Sequence, residues 1–169
     1  AVSTVELKYR VEPAATVATV AMNDAGQSGD AVAGDGVFTG TIPKQTTGKM
    51  VAFWITATDG QGEAATLPGE APTRACLVRI GEPNPSSALD RYHVWMPSGT
   101  VTSLTTAPKM SNEMFDCTFV LNNTDVFYNC ELRYRGSPFI RSQPPTDPVG
   151  GRYAYRIDFG EHQQLNGES

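Results

Sequence analysis

Three aspartates, Asp24, Asp30 and Asp35, lie in the glycine-rich stretch MNDAGQSGDAVAGDG at residues 22–36. Calcium in proteins takes about six to eight oxygen ligands, mainly from carboxylates and backbone carbonyls. A loop that folds back on itself could supply them from these side chains, from Asn23 and from its own carbonyls. The spacing differs from the alternation of an EF-hand loop, and no glutamate closes the run.

The same composition has an explanation that needs no metal. Aspartate and asparagine accept local backbone hydrogen bonds, and glycine adopts positive φ, so residues 22–36 could form only a long turn. Neither a strand–loop–helix pattern nor a P-loop lysine accompanies the stretch, which excludes a phosphate-binding glycine loop. A calcium site and a turn are the two interpretations left open.

Two cysteines occupy corresponding positions of a predicted hairpin around the sequence NNTD, which reads as a four-residue loop. That loop pairs Leu121 with Val126 and, counting outward, places Cys117 opposite Cys130. Such a pair can form a disulfide at a site without ladder hydrogen bonds, which would indicate an oxidising compartment. Two packed thiols are the alternative, and Cys76 has no predicted partner.

The chain lacks the patterns of common catalytic sites. His93 and His162 are its two histidines, and no CxxC or HExxH spacing is present to bind zinc. No GxSxG sequence is present, so a serine hydrolase is unsupported. We predict no catalytic residue in this chain.

The elements that must position these residues are mainly strands. Five β-type segments separated by glycine-rich turns fill the first eighty residues: 2–11, 15–22, 37–42, 49–59 and 73–80. Segment 49–59 alternates with the two-residue period of a half-buried strand, and DGQG after it reads as a hairpin turn. This pattern predicts a β-sandwich of immunoglobulin or fibronectin type.

The proline- and serine-rich stretch GEPNPSSA at 81–88 predicts a linker. We therefore expect a sandwich at 1–82, a linker at 83–89 and a second domain at 90–169. In the second domain we predict strands, a short helix capped by Ser98 and an irregular segment: 91–96, 114–121, 126–136 and 152–159 for the strands, and 137–151 for the irregular part.

Charge and hydropathy exclude two classes of partner. The net charge is −5 with no basic run, so a nucleic-acid partner is not expected. No apolar stretch approaches the roughly 20 residues that span a bilayer, so membrane insertion is not expected either. The sequence starts at Ala1 without Met, and a missing signal peptide therefore says nothing about export.

Two parts of the chain resemble known families. The succession YNCELRYRGSP (128–138), YAYRIDF (153–159) and EHQQLNG (161–167) resembles the opening of the CotH-like (spore coat protein H) kinase family. The stretches 22–43 and 48–68 resemble the β-sandwich module often found before such domains in large secreted bacterial proteins. The resemblance implies a mainly β chain, with an immunoglobulin-like β-sandwich followed by a partial α+β domain that is kinase-like and amino-terminal.

The kinase resemblance implies ATP, magnesium and phosphoryl transfer for a full-length parent. It points to a phosphate-facing turn at Arg135, Gly136 and Ser137, with Arg156 on the following strand. Ser137 and its neighbours replace the Asn-Ser-Ser of the family, and arginine stands where the family usually has lysine. The acidic catalytic motifs of the family lie farther downstream, so for this chain by itself an exposed strand end is the favoured explanation of these residues, ahead of a phosphate-facing turn.

We thus expect a noncatalytic fragment of a secreted or surface-anchored protein, in which the sandwich spaces or docks the start of a CotH-like kinase domain. The fragment itself is expected to be inactive, whereas its parent could be an atypical kinase. The expected partners are other domains of the parent chain or neighbouring surface proteins. The alternative is an adhesion or assembly module that builds a surface array or binds glycan.

Overall fold

The computed structural model describes residues 1–108, 110–136, 154–160 and 165. It divides into two compact units, Ala1–Glu82 and Pro83–Ser169. The described residues are mainly β, with one antiparallel sheet in each unit. Among them, no helix has both the length and the apolar character that a membrane span requires.

The first unit is built on a five-stranded antiparallel sheet: β1 (Val2–Val11), β2 (Ala18–Ala21), β3 (Met50–Asp59), β4 (Ala64–Leu67) and β5 (Cys76–Arg79). The strand order is β2-β1-β3-β4, and β5 also pairs with β3. Val51 and Ala52, successive residues of β3 whose side chains point to opposite faces of the sheet, are each 0% exposed, so both faces are covered at this end of the strand. The prediction of a half-buried strand was wrong at this end of β3.

Trp54 on β3 belongs to the core of the first unit. Its side chain is 5% exposed, and the guanidinium carbon of Arg10 lies 5.9 Å from the ring centroid. Arg10 is held there by Glu12, whose Oε1 accepts a hydrogen bond from Nε at 2.8 Å. A cation above an indole face adds electrostatic attraction to the packing of the ring.

Residues 37–42 do not form the strand that their composition predicts. Only Thr39 pairs there, in a single antiparallel bridge with Asn23. The segment lies close to the sheet at Gly40, where an added Cβ would come 2.8 Å from Cγ of Met22 and 3.6 Å from Cβ of Leu7. Segment 37–42 therefore packs against the sheet next to Leu7 without forming a ladder of backbone hydrogen bonds with it.

The second unit is a four-stranded antiparallel sheet with one helix: β6 (Tyr92–Trp95), α1 (Ser98–Thr106), β7 (Phe115–Leu121), β8 (Asp125–Arg135) and β9 (Ala154–Asp158). The strands follow the order β6-β7-β8-β9. Leu104 of α1 packs into the core formed by β7 and β8. Phe119 makes an edge-to-face contact with Phe159, with ring centroids 5.4 Å apart.

Two local predictions for the second unit were wrong. Helix α1 begins at Ser98 itself, its N-cap residue is Pro97, and no side chain caps it. The hairpin loop is three residues long, at 122–124, because Leu121 pairs with Asp125 and not with Val126. The predicted irregular segment at 137–151 lies outside the described residues.

Candidate functional site

The aspartates of residues 22–36 converge in the loop between β2 and β3. Asp24, Asp30 and Asp35 each place a carboxylate oxygen within 4.8 Å of the others. Asp24 is half-buried, Asp30 is 7% exposed and Asp35 is exposed, so the group runs from the protein interior to its surface. We call these three residues the aspartate cluster.

Asp24 closes the loop through its carboxylate. Its Oδ1 accepts the amide N–H groups of Gly34 at 2.7 Å and Asp35 at 3.2 Å, and its Oδ2 accepts that of Gly36 at 3.0 Å. Three donors on one carboxylate partly neutralise its charge. The turn interpretation of residues 22–36 therefore describes what Asp24 does in the structure.

Asp30 and Asp35 make fewer hydrogen bonds. Oδ2 of Asp30 accepts the amide of Gly26 at 2.6 Å, and Oδ1 of Asp35 accepts the amide of Val37 at 2.9 Å. A carboxylate has about four lone-pair positions, so each retains acceptor capacity beyond the one hydrogen bond described for it. Hard cations such as calcium prefer these oxygen ligands.

The loop backbone needs residues that tolerate positive φ. Gly26 has φ +65°, and an added Cβ would come 3.1 Å from the amide nitrogen of Ala33. Gly34 has φ +75°, with no atom within 4 Å of that position. Gly26 is therefore favoured as glycine both by its positive φ and by the lack of space for a Cβ, whereas Gly34 is favoured by its positive φ alone. Asn23 is engaged locally, since its Oδ1 accepts the amide of Ala25.

The residues expected at a phosphate-facing turn lie at the end of the β8–β9 ladder. Arg133 pairs in register with Arg156, and Arg135 pairs with Ala154. Alternation along β8 therefore places Arg133, Arg135 and Arg156 on one face of the sheet. Gly136 follows with φ +116°, and Ser137 lies outside the described residues. Arg133 was not predicted as a member of this group, although it lies two residues before Arg135 and therefore on the same face of the strand.

Acidic side chains share that face with the arginines. Glu131 pairs in register with Asp158 immediately beside the pair Arg133 and Arg156. Nε of Arg156 donates a 2.8 Å hydrogen bond to Asp158, and this bond raises the pKa of the exposed Arg156 guanidinium. Ion pairing within the sheet thus accounts for Arg156 without a phosphate.

The structure pairs Cys117 in register with Cys130. All three cysteines, all of them among the described residues, are buried and in the thiol form. Burial raises the pKa of the Cys76 thiol from 9.0 to about 11, because the thiolate would lose its hydration. His93 lies half-buried on β6, and His162 lies outside the described residues.

Residues 2–66 match the family model described as the conditioned medium factor 2nd Ig-like domain. Comparison with curated proteins and with solved structures found no match. The matched residues run from β1 into β4 and contain the aspartate cluster. The segments that resemble the CotH-like kinases begin later in the chain, and that resemblance stays a prediction. Residues 2–66 thus match an Ig-like module, and the mainly β architecture is consistent with an Ig-like β-sandwich.

Proposed function

We propose that this chain is a noncatalytic extracellular module, in which a calcium-stabilised Ig-like domain spaces or docks the start of a CotH-like kinase domain. The observation that carries the calcium part is the convergence of Asp24, Asp30 and Asp35 within 4.8 Å. The match of residues 2–66 to an Ig-like domain of a conditioned medium factor supports a noncatalytic role and an extracellular location.

The charge balance of the aspartate cluster favours a cation. A buried carboxylate is costly unless it is paired with a positive charge or fully hydrogen-bonded. Asp30 is 7% exposed and accepts one amide, that of Gly26, among the hydrogen bonds described for it. The neighbouring carboxylates of Asp24 and Asp35 add repulsion, which a divalent ion would reverse.

A bound ion would hold together the loop that connects two strands of the sheet. The loop that carries the aspartate cluster connects β2 to β3. Both strands pair with β1, and β3 does so over most of its length. Fixing this loop would suppress its local opening, which would stiffen the module as a spacer or docking domain. This role needs no catalytic group.

Calcium binding is tested by thermal unfolding of the full chain. A Trp95→Phe background leaves Trp54 to report on the first unit. After treatment with chelator, calcium at about 30-fold above its Kd should raise the Tm by roughly 5–15 °C. Asp30→Asn and Asp35→Asn should lose that rise. Asp59→Asn, a turn aspartate outside the cluster, should keep it.

A Tm that calcium leaves unchanged would refute the cation part of this proposal. An equal rise in Asp30→Asn and in the unsubstituted chain would place the ion elsewhere. Magnesium is the comparison ion, since its strict octahedral geometry fits an irregular loop poorly.

The kinase-like part of the proposal is supported by the resemblance of residues 128–167 and by the position of Arg135 at the end of β8, next to Gly136. ATP and magnesium would act only together with acidic metal-binding and catalytic motifs of the kind that the CotH-like family carries. Incubation of the purified chain with ATP and magnesium should give no phosphate incorporation. Incorporation by this chain would overturn its noncatalytic assignment.

The alternative, an adhesion or assembly module, is favoured by apolar residues at sheet edges. Leu67 on β4 is 68% exposed and Tyr92 on β6 is 60% exposed. Exposed edge strands are sites at which another chain can add. Concentration-dependent self-association, abolished by Leu67→Lys or Tyr92→Lys, would favour this alternative over the kinase-docking role.

A further inference from the structure

The side chains of Cys117 and Cys130 belong to one buried cluster in the second unit. Cys117 on β7 is 4% exposed and Cys130 on β8 is 0% exposed. The two positions are register partners of an antiparallel pair. Cross-strand partners in such a pair have Cβ atoms about 4.5–5.5 Å apart, close to the separation that a disulfide spans.

A β-bulge in β8 directs the side chains of both cysteines toward the same buried cluster. Phe119 pairs with Phe127, whereas Cys117 pairs with Cys130, so β8 contains one more residue than β7 between these pairs. Strict alternation would direct Phe127 and Cys130 to opposite faces, since they are three positions apart. Asn129 has φ +59°, a left-handed conformation found at bulges, and both Phe127 and Cys130 contact the same core.

We propose that Cys117 and Cys130 form a cross-strand disulfide in the exported protein. The oxidising compartment in this inference rests on the extracellular location proposed above. Formation of the disulfide in glutathione buffer depends only on the fold. The test can therefore refute the disulfide without refuting the extracellular location, and the reverse.

The reaction is thiol–disulfide exchange with a donor disulfide, here glutathione disulfide. The thiolate of one cysteine attacks the donor and releases one glutathione thiolate, which takes up a proton. The thiolate of the second cysteine then displaces the second glutathione from the mixed disulfide. The cysteines lose two protons and two electrons, and the donor becomes two thiols. Because both sulfur atoms are buried in the folded chain, exchange is expected during folding.

Cys76 provides an internal control. It is buried on β5 in the first unit, whereas both other cysteines lie in the second unit. Burial raises its pKa to about 11, so the thiolate that attacks a disulfide is scarce at neutral pH once the unit has folded. It should therefore remain a thiol in the same sample.

The test is refolding of the reduced, unfolded full chain in glutathione redox buffer, followed by alkylation under denaturing conditions and non-reduced digestion. Mass spectrometry should find the peptides of Cys117 and Cys130 linked, lighter by two hydrogen atoms than their sum, and Cys76 alkylated. Alkylation of all three cysteines would overturn the proposal, and so would any link that includes Cys76.

A second measurement, the effect of reductant on the Tm, tests the proposal even if the cysteine variants fold poorly. Reductant should lower the Tm of the second unit by about 10 °C in the unsubstituted chain and in Cys76→Ser. The double variant Cys117→Ala/Cys130→Ala should show no reductant-dependent change. A Tm that reductant leaves unchanged in the oxidised, unsubstituted chain would overturn the proposal regardless of the variants.

Discussion

The carboxylate of Asp24 accepts the amide N–H of Gly36, twelve positions further along the chain, through Oδ2 at 3.0 Å. Together with its bonds to the amides of Gly34 and Asp35, this contact closes the loop between β2 and β3. The turn and the candidate cation site are thus built from the same side chain. Asp24 has a structural role whether or not calcium binds.

Asp24→Ala should therefore destabilise the first unit without calcium. Loss of three charge-assisted hydrogen bonds at a partly solvated site is expected to cost about 1–3 kcal/mol. Asp35→Ala, which removes one exposed bond to Val37, should cost about 0.5 kcal/mol. Urea unfolding in chelator, followed by Trp54 fluorescence in a Trp95→Phe background, measures both. Equal losses would contradict the structural role of Asp24.

The two loop glycines should differ in their tolerance of alanine. Both Gly26 and Gly34 have positive φ, which costs a residue with a Cβ about 1 kcal/mol. Gly26→Ala adds a 3.1 Å approach to the backbone of Ala33, so it should lose about 1 kcal/mol more than Gly34→Ala. The same urea experiment compares them, and indistinguishable midpoints would argue against the close packing at Gly26.

The bulge at Asn129 should favour a residue without Cβ strain. Asn129→Gly and Asn129→Ala both remove the side-chain amide, so their difference reports on φ +59°, offset in part by the greater unfolded-state entropy of glycine. Alanine is expected to be about 1 kcal/mol less stable than glycine at this position. Unfolding followed by Trp95 fluorescence in a Trp54→Phe background gives the comparison. An alanine variant as stable as the glycine variant would contradict a left-handed residue here.

Burial of Cys76 should make the stability of the first unit fall at alkaline pH. Because the pKa is raised in the folded state from 9.0 to about 11, folding favours the protonated thiol. This contribution is complete below about pH 9 and is lost as the pH rises through about 11. Between these values the Tm should fall more steeply in the unsubstituted chain than in Cys76→Ala. Parallel Tm profiles would contradict the shift.

Local sequence patterns were sufficient to locate most of the strands. Segment 49–59 predicted β3, which runs from Met50 to Asp59, because alternating apolar residues and a following Asp-Gly turn are both local signals. The same reasoning failed at 37–42, where the pattern of a strand is present but Thr39 makes a single bridge. Ladder formation there depends on which backbone lies alongside, and no local pattern contains that information.

The register between β7 and β8 was likewise predicted only in part from the sequence. The sequence predicted that Cys117 lies opposite Cys130, but through a four-residue loop that the structure replaces with a three-residue loop and a bulge. The one-residue error at the loop is compensated by the one extra residue in β8, so the predicted pair agrees for a different physical reason. Here the extra residue allows Phe127 and Cys130, on either side of the bulge, to contact the same core.

The sequence by itself determined the residue types of the candidate sites: carboxylates and glycines in one loop, arginines at one strand end, and two cysteines in one hairpin. The tertiary structure decided which of them meet. Asp24 and Asp35 come together because backbone amides from residues 34–36 bind the Asp24 carboxylate and fold the loop back upon itself, and Asp30 lies within 4.8 Å of both. Such contacts join residues ten or more positions apart, and their geometry depends on the folded path of the chain between them.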